Sequence, residues 1–376
     1  MKRVLHIITG LETGGAEHQL LLLVRHLPVH CEVAVLCDAG SVAEAIRAEG
    51  VRVHQLDMRG NRDLTALPRL VRLIRRGRYD VVHTHLFRAC VFGRLAAWLA
   101  RTPRIVATEH SLGDNLLEGR KAGLAVQMLY LASERLGAMT IAVSPTVYRR
   151  LAAWRVNPRR LAMIPNAIDE QRFGFRPDRR AAVRGRLKIA EDDYVVGIVG
   201  RLAAGKRVDL AIEAFAGTRC GTLLIVGDGP ERERLQALAG RHGLNGRVMF
   251  TGDVADVPSM LDAMDVLVST SAEETFNLAV LEGAASGLPV LYYACPALED
   301  LPAEMCSGTE KITDDPAEIA RALERRRARG QVRLPVPPAA GHYGVPRQVS
   351  GLLEIYGAAP AAEPALPSSS NTTKNV

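Results

Sequence analysis

The sequence predicts an α/β protein of two Rossmann-like, doubly wound parallel-sheet domains that face a cleft. Short β-branched runs alternate with longer amphipathic stretches, and this pattern restarts near the middle of the chain. The 376 residues also suffice for two domains of roughly 150 residues each. The predicted strands are 4–9, 32–37, 51–56, 80–85, 104–109 and 139–144, then 194–200, 221–227, 247–252, 265–270 and 289–293.

The segment 164–180 separates the two halves, because it holds two prolines and many charges, as an interdomain connection should. We therefore predict a first domain over 1–170 and a second over 171–340. Residues 341–357 form a helix candidate that could pack back on the first domain. Residues 358–376 have the composition of disorder.

Composition excludes several classes of protein. The net charge is +7, but the basic residues are spread along the chain and aromatic residues are only 5%, so a nucleic-acid partner is not expected. No apolar run approaches the roughly 20 residues that span a bilayer, and the N-terminus does not resemble a signal peptide. We expect a cytoplasmic protein. The six cysteines are scattered, which favours buried free thiols over disulfides or a zinc site.

The segment from Glu274 to Glu282 is the first candidate site. Glu274 lies in the loop after a predicted strand, and Glu282 lies about two turns into a helix. The free amides at the start of such a helix favour an anion such as phosphate. A surface helix with two solvated glutamates is the competing interpretation.

A second candidate is the loop from Gly200 to Lys206, which imitates a phosphate-binding G-x-x-x-x-G-K loop. Arg207 follows in place of the Ser or Thr that would hold magnesium, which disfavours a nucleoside triphosphatase. The alternative is a basic loop before a helix. Gly227 and Gly229 follow another strand but lack the third glycine of a dinucleotide fingerprint, so a nucleotide-side loop and a plain tight turn both remain open.

In the first half, Gly14, Gly15 and Glu17 stand between the first strand and a helix, where glycines allow a ligand to approach backbone amides. A plain turn is the alternative. His110 ends a strand, at the edge where ligands bind in parallel sheets. His83 and His85 end another strand, but no carboxylate or cysteine partner for them is obvious nearby in sequence, which favours packing or cleft-lining over a metal site.

Taken in order over almost the whole chain, these motifs resemble glycosyltransferase family 4, whose members are retaining enzymes of GT-B architecture. The resemblance implies that Glu274 holds hydroxyls of a donor sugar and that Glu282 binds the nucleotide ribose. It also implies that the amides of Phe276, Asn277, Leu278 and Ala279 meet the sugar and the diphosphate. The family usually has glycine where this chain has Asn277, so that side chain could touch the sugar.

The same resemblance assigns the remaining residues. Arg201 and Lys206 would clamp the diphosphate in place of a metal, since two fixed cations stabilise the charge of the leaving group. Gly200, Gly227 and Gly229 would form the nucleotide side, and the nucleobase would lie near Val254. His110 would lie beside the donor sugar. The acceptor side would hold Gly14, Gly15, Glu17, His110, Asp114 and Glu118.

The implied reaction moves a sugar from a nucleoside-diphosphate sugar, with uridine as the default base, to an acceptor hydroxyl with retained anomeric configuration. Glu274, His110, Arg201 and Lys206 would be the catalytic residues. No carboxylate is convincingly placed as a nucleophile, so we assign Glu274 an electrostatic and positioning role. No cofactor and no metal are expected.

The acceptor is predicted from charge. The loops that should face it are acidic in a chain of net charge +7: Glu12, Glu17, Glu109, Asp114 and Glu118. Carboxylates suit a polycationic small molecule, and stretches of the chain also resemble glycosyltransferases of actinobacterial aminoglycoside-antibiotic pathways. We therefore predict an aminocyclitol pseudodisaccharide acceptor. Solvated loop charges are the alternative explanation.

Three other functions remain open. The basic amphipathic stretch 67–78 could lie on anionic lipid and serve a lipid or polysaccharide acceptor, although membrane contact is not the favoured expectation. The chain could also bind a nucleotide sugar without catalysis, or it could be a sugar-nucleotide epimerase.

The acidic-acceptor hypothesis makes a kinetic prediction. Replacing Asp114 by Asn and Glu118 by Gln should raise KM for a cationic acceptor, because each change removes a negative charge that attracts it. Initial rates at saturating donor measure this effect. Unchanged KM values in both variants would contradict the hypothesis.

Overall fold

The computed structural model describes residues 1–60, 63–113, 116–117, 120–121 and 123–358. Within these residues no helix is both long enough and apolar enough to cross a membrane. The predicted tail 358–376 lies outside the described residues except for its first member.

The first domain is a seven-stranded parallel sheet in the order β3-β2-β1-β4-β5-β8-β9, with a separate two-stranded antiparallel hairpin, β6-β7. Its strands are β1 (Arg3–Ile8), β2 (His30–Val35), β3 (Arg52–Gln55), β4 (Val81–His85), β5 (Arg104–Glu109), β6 (Leu116–Leu117), β7 (Arg120–Lys121), β8 (Met139–Ala142) and β9 (Leu161–Met163). Its helices are α1 (Gly15–His26), α2 (Ser41–Ala48), α3 (Ala66–Gly77), α4 (Phe87–Leu99), α5 (Leu124–Glu134) and α6 (Pro145–Ala153). The connection continues as α7 (Glu170–Phe173) and α8 (Pro177–Leu187).

The second domain is a six-stranded parallel sheet in the order β12-β11-β10-β13-β14-β15. Its strands are β10 (Val195–Val199), β11 (Thr222–Val226), β12 (Val248–Gly252), β13 (Val266–Ser269), β14 (Val290–Tyr292) and β15 (Thr309–Lys311). Its helices are α9 (Val208–Ala216), α10 (Arg232–Arg241), α11 (Val257–Ala263), α12 (Leu278–Ala285), α13 (Pro296–Glu299), α14 (Pro316–Arg327) and α15 (Pro338–His342). The last described helix is α16 (Val345–Tyr356).

The predicted fold class is confirmed: two parallel sheets with interleaved helices make up the chain. Every predicted strand is present within a few residues. The sequence analysis missed β9, β15 and the β6-β7 hairpin. Both β9 and β15 lie at sheet edges. β15 reads Thr-Glu-Lys and has no apolar run, whereas β9 is apolar, Leu-Ala-Met, but only three residues long, which is shorter than the roughly four to eight residues of a typical strand signal.

A buried carboxylate fixes the second domain at the amino end of β13. Asp265 is almost fully buried and accepts hydrogen bonds from Arg180 at 2.7 Å, Arg184 at 2.8 Å and the amide of Val195 at 2.7 Å. These contacts join α8, β10 and β13. Removing one partner of such a group typically costs about 3–5 kcal/mol, because the other charge stays buried.

Helix α16 returns to the first domain. Leu352, Leu353 and Tyr356 are buried in the core beneath β1 and α1, and the Tyr356 hydroxyl lies 2.6 Å from Nδ1 of His83. Gln348 of the same helix donates to Gln19 at 3.2 Å. Helix α16 therefore packs on the first domain, although it follows the second domain in sequence.

Candidate active site between the two domains

The carboxyl ends of the two sheets' strands meet, which is where open parallel sheets bind ligands. Two contacts establish this approach. A methyl group added to Gly15, at the start of α1, would lie 3.5 Å from Cδ1 of Leu278 at the start of α12. The hydroxyl of Thr275 donates to the carbonyl oxygen of His110, after β5, at 2.6 Å. The starts of two helices and the ends of two strands thus face one another.

The segment Glu273-Glu274-Thr275 contacts both domains in turn. Glu273 accepts from Arg150 of α6 at 2.8 Å, Thr275 reaches His110, and Glu274 turns back to Lys206 of its own domain. The sequence analysis did not single out Glu273, Thr275 or Arg150. Their partners lie 123 and 165 positions away along the chain, and no local pattern signals pairs so far apart.

Lys206 and Glu274 form an ion pair with Nζ and Oε1 2.5 Å apart. The Glu274 side chain is 11% exposed and the Lys206 side chain 36%, so solvent reaches the cation more than the anion. The backbone holds Lys206 in place, because Thr270 donates to its carbonyl at 3.1 Å and Ala272 donates to that of Gly205 at 3.0 Å. Arg201 is exposed in the same loop.

The glycines of the second domain allow its two loops to pack backbone against backbone. A Cβ on Gly227 would lie 2.2 Å from the carbonyl oxygen of Gly200, and one on Gly229 would lie 2.3 Å from that of Leu202. Leu202 donates to the carbonyl of Asp228 at 2.8 Å. Gly200 has φ of +146°, which L residues rarely adopt. Close approach is therefore the physical reason for the glycine spacing.

Asn277 caps α12 in a left-handed conformation, with φ 71° and ψ 68°, which explains how it can stand where glycine is usual. Its amide nitrogen donates to Ser269 at 3.0 Å and to the carbonyl of Ala294 at 2.8 Å. Both donors of the side chain are thus engaged within the second domain, which weakens the expectation that this side chain touches a sugar.

Phe276 and Val254 pack in the protein rather than projecting into open space. The Phe276 ring is buried and meets the edge of Tyr343 at 5.0 Å between centroids. Val254, after β12, packs against the same core. Phe276 can therefore take the ligand-binding role expected of it only through its backbone atoms, whereas the side chain of Val254 is partly exposed. Ala279 lies in the first turn of α12, next to Leu278.

Glu282 lies in the second turn of α12 and is half-buried. Burial raises the pKa of its carboxyl group to about 7, and the positive charge of Arg172 acts in the opposite direction. A carboxyl group whose pKa lies near neutral pH exists in both forms, and only the ionised form is a strong hydrogen-bond acceptor. Hydroxyl donors from a ligand would favour that form.

On the first-domain side, Glu17 is half-buried and folds over Gly14, where a Cβ would lie 2.2 Å from Oε2 of Glu17. Glu12 is exposed. Asp114 and Glu118 lie outside the described residues. The prediction that Glu109 faces the acceptor is wrong. Glu109 is fully buried and accepts a hydrogen bond from the amide of Ser111 at 3.1 Å, so it cannot face a solvated acceptor.

His110 is 8% exposed and lies at the domain interface. Its Nε2 is 3.1 Å from Nδ1 of His85. Burial lowers the pKa of His110 to about 4, so the ring is neutral near pH 7. His83 and His85 are buried within β4, in agreement with the packing role expected of them.

Two family models match the chain in succession. "Glycosyltransferase Family 4" matches residues 13–172, and "Glycosyl transferases group 1" matches residues 193–327. A D-inositol 3-phosphate glycosyltransferase of Salinispora arenicola is 31% identical over 321 residues, which cover 76% of this chain and 70% of that protein. A 2-deoxystreptamine N-acetyl-D-glucosaminyltransferase of Streptomyces fradiae is 30% identical, with 76% and 72% covered.

Solved structures share the fold. A structure of the Anabaena protein HepE with UDP and glucose aligns with a TM-score of 0.82 and 20% identity, and covers 95% of this chain and 100% of that one. Sucrose-phosphate synthase of Thermosynechococcus elongatus aligns with a TM-score of 0.73 and 19% identity, with 95% and 98% covered. Both comparisons support the two-domain architecture.

The Asn277 cap makes a stability prediction. Asn277→Ala should lower the free energy of unfolding by about 1–2 kcal/mol, because alanine is strained in the left-handed region and cannot donate to Ser269. Asn277→Gly is the matched variant and should lose less, because glycine adopts this conformation freely. Urea unfolding measures both. If Gly proves the more damaging substitution, the left-handed cap does not explain this residue.

Proposed function

The chain belongs to glycosyltransferase family 4 and is a glycosyltransferase; we propose that it uses a nucleoside-diphosphate sugar, most simply a UDP-sugar, and glycosylates a small cationic aminocyclitol with retention of configuration. The ion pair of Lys206 with Glu274 carries the proposal. It puts a partly exposed cation and the carboxylate expected to bind the sugar together, beside the start of α12 and at the domain interface.

The donor diphosphate would lie between Lys206 and the free amides at the start of α12. An incoming phosphate competes with Glu274 for the ammonium group, which releases Glu274 to accept hydroxyls of the sugar. As the glycosidic bond breaks, the diphosphate gains charge that Lys206 and the exposed Arg201 stabilise. These two cations can supply the role that a metal has in other sugar transferases. Glu282 would accept the ribose hydroxyls.

The retaining mechanism is proposed without a carboxylate nucleophile. Glu274 is paired with Lys206 at 2.5 Å, and once the donor phosphate releases it, it would accept sugar hydroxyls, which is a positioning role rather than attack on the anomeric carbon. In a front-face route the leaving phosphate helps to deprotonate the acceptor hydroxyl, and the residues around it need only orient the two substrates. Product configuration, determined by NMR, distinguishes retention from inversion.

The acceptor assignment draws on charge and on relatives. Two relatives carry 2-deoxystreptamine in their names, from Streptomyces fradiae and Streptomyces kanamyceticus, and others use D-inositol 3-phosphate. The two acceptor classes differ in sign of charge. Exposed Glu12 and half-buried Glu17 near the first-domain loops favour the cationic aminocyclitol. A mass-spectrometric screen of donor and acceptor pairs tests both classes directly.

The proposed donor site makes a prediction for turnover. Lys206→Met should lower kcat/KM by about 10²- to 10³-fold, because a fixed cation at the leaving group is lost. Lys311→Met is the matched control, since Lys311 also pairs with a glutamate, at 2.8 Å from Glu299, but lies on β15. Sugar transfer to 2-deoxystreptamine, followed by mass spectrometry, measures the effect. Equal losses in both variants would contradict the proposed role, and UDP binding without turnover would identify a non-catalytic protein.

The elevated pKa of Glu282 predicts a pH dependence of donor binding. The carboxylate form accepts ribose hydroxyls, so UDP affinity should fall as pH drops through about 7, by roughly three- to tenfold between pH 8 and pH 6. Glu282→Gln should flatten this dependence, whereas Glu304→Gln, at an exposed site, should keep it. Calorimetric titration with UDP over this range compares them. The same slope in Glu282→Gln would show that another group titrates.

A membrane-bound acceptor is the second candidate, because the first domain has a basic and apolar surface on α3 and α4. Arg72, Arg75 and Arg76 line a groove with Leu67, Pro68, Val71 and Leu99, and Trp98 nearby is 54% exposed. Such a surface suits the interface of an anionic bilayer.

Co-sedimentation with vesicles decides between the two acceptors. If the acceptor is a soluble aminocyclitol, the protein should stay in the supernatant with both neutral and anionic phospholipid vesicles at physiological salt. Binding to anionic vesicles that Arg75→Glu and Arg76→Glu abolish would instead favour the membrane acceptor, because these changes reverse the charge of the groove.

A further inference from the structure

Four buried histidines lie side by side at the centre of the first sheet. His6 is on β1, His83 and His85 are on β4, and His110 follows β5, and these strands are neighbours in the sheet. Three of the four rings have no exposed surface and His110 has 8%. Burial lowers the pKa of each of them. All four rings are therefore neutral near pH 7, and each has one N–H and one lone pair.

Three of these rings form a continuous chain of hydrogen bonds. Nε2 of His110 is 3.1 Å from Nδ1 of His85, and Nε2 of His85 is 3.0 Å from Nδ1 of His6. Nε2 of His6 then meets Sγ of Cys31 at 3.8 Å. His83 stands apart, because its nitrogens contact the hydroxyls of Tyr356 and Thr108.

A chain of neutral imidazoles has a direction. When one ring donates from Nε2, its Nδ1 must accept, so the orientation of any one ring sets that of the others. Either every ring carries its proton on Nε2, or every ring carries it on Nδ1. The two ends of the chain decide between them: Nε2 of His6 beside the thiol, and Nδ1 of His110.

Nδ1 of His110 is buried and has no hydrogen-bond partner among the described residues. A buried N–H without a partner is rarer in proteins than a buried acceptor without one. If the three rings carried their protons on Nδ1, His110 would have a buried N–H donor without a partner. If they are on Nε2, His6 donates to the sulfur of Cys31, and only a lone pair is left at His110.

We propose that His85 and His6 are positioning residues that hold His110 in the Nε2–H form, and so determine which ring nitrogen of this proposed catalytic residue carries the lone pair. The inference rests on the proposed function for the substrate, but the form of the ring does not depend on it. The backbone carbonyl oxygen of His110 accepts a hydrogen bond from Thr275, so the residue that carries this ring is joined to the segment that contains Glu274.

The test is NMR of protein labelled with ¹⁵N in its ten histidines. Long-range proton–nitrogen correlations distinguish protonated from bare ring nitrogens, and loss of signals in His110→Gln assigns His110. In the substrate-free protein, His110, His85 and His6 should each carry the proton on Nε2. A proton on Nδ1 of His110 overturns the proposal.

Variants at a distance from the ligand test the positioning role. His85→Leu should leave His110 as a mixture of both forms, whereas His85→Asn should keep the Nε2–H form, because the asparagine oxygen can replace Nδ1 as acceptor. His6→Leu should also produce a mixture, although His6 does not contact His110. His242→Asn, at an exposed site, is the control. An unchanged single form of His110 in both leucine variants contradicts the role.

Two further measurements separate this inference from its alternatives. Sugar transfer should fall about tenfold in His85→Leu, the loss of one hydrogen bond, and recover in His85→Asn. Absence of transfer by the unsubstituted protein, with the expected NMR spectra, would fault the proposed function alone. The nitrogens of His6, His83 and His85 lie within 4.8 Å of one another, so metal content is also measured. One metal ion per chain, removed by His83→Gln, would replace the hydrogen-bond chain with a metal site.

Discussion

The short segment Glu273-Glu274-Thr275 is the constraint on which the site depends. Its outer residues bind the first domain through Arg150 and the carbonyl of His110, while Glu274 binds Lys206 of the second domain. Neither sheet alone would bring the starts of α1 and α12 together. A ligand between the domains would therefore meet this segment, and a relative movement of the domains would have to preserve or break its two contacts with Arg150 and His110.

Charge determines what that ligand can be. The Lys206 side chain is 36% exposed and the Glu274 side chain only 11%, so solvent competes for the cation much more than for the carboxylate. A phosphate group carries more charge than Glu274 and accepts stronger hydrogen bonds. A donor phosphate can therefore replace Glu274 as the partner of Lys206. The pair would thus keep the cation oriented until a diphosphate takes the place of Glu274, as proposed. Glu282, raised in pKa by burial, is likewise suited to hydroxyl donors.

The two sheets could be predicted from the sequence, and the segment from Glu274 to Glu282 could be singled out as a candidate, because both leave local patterns. β-branched runs mark strands that are buried on both faces, and Glu274 and Glu282 lie eight positions apart on one loop and helix. Contacts that depend on strand register, or on how the two domains approach each other, leave no local pattern and could not be predicted. His83 and His85 were visible as a pair, but His6 and His110 complete the chain from neighbouring strands. Glu109 was misjudged because a strand end can point either way.

The central claim is that Lys206 exchanges Glu274 for a donor diphosphate, and a crystal structure of the protein with UDP tests it most directly. We expect Nζ of Lys206 within hydrogen-bonding distance of a phosphate oxygen, the carboxylate of Glu274 free of the lysine, and the ribose on Glu282. A diphosphate bound elsewhere, with the ion pair of Lys206 and Glu274 still at 2.5 Å, would contradict the account.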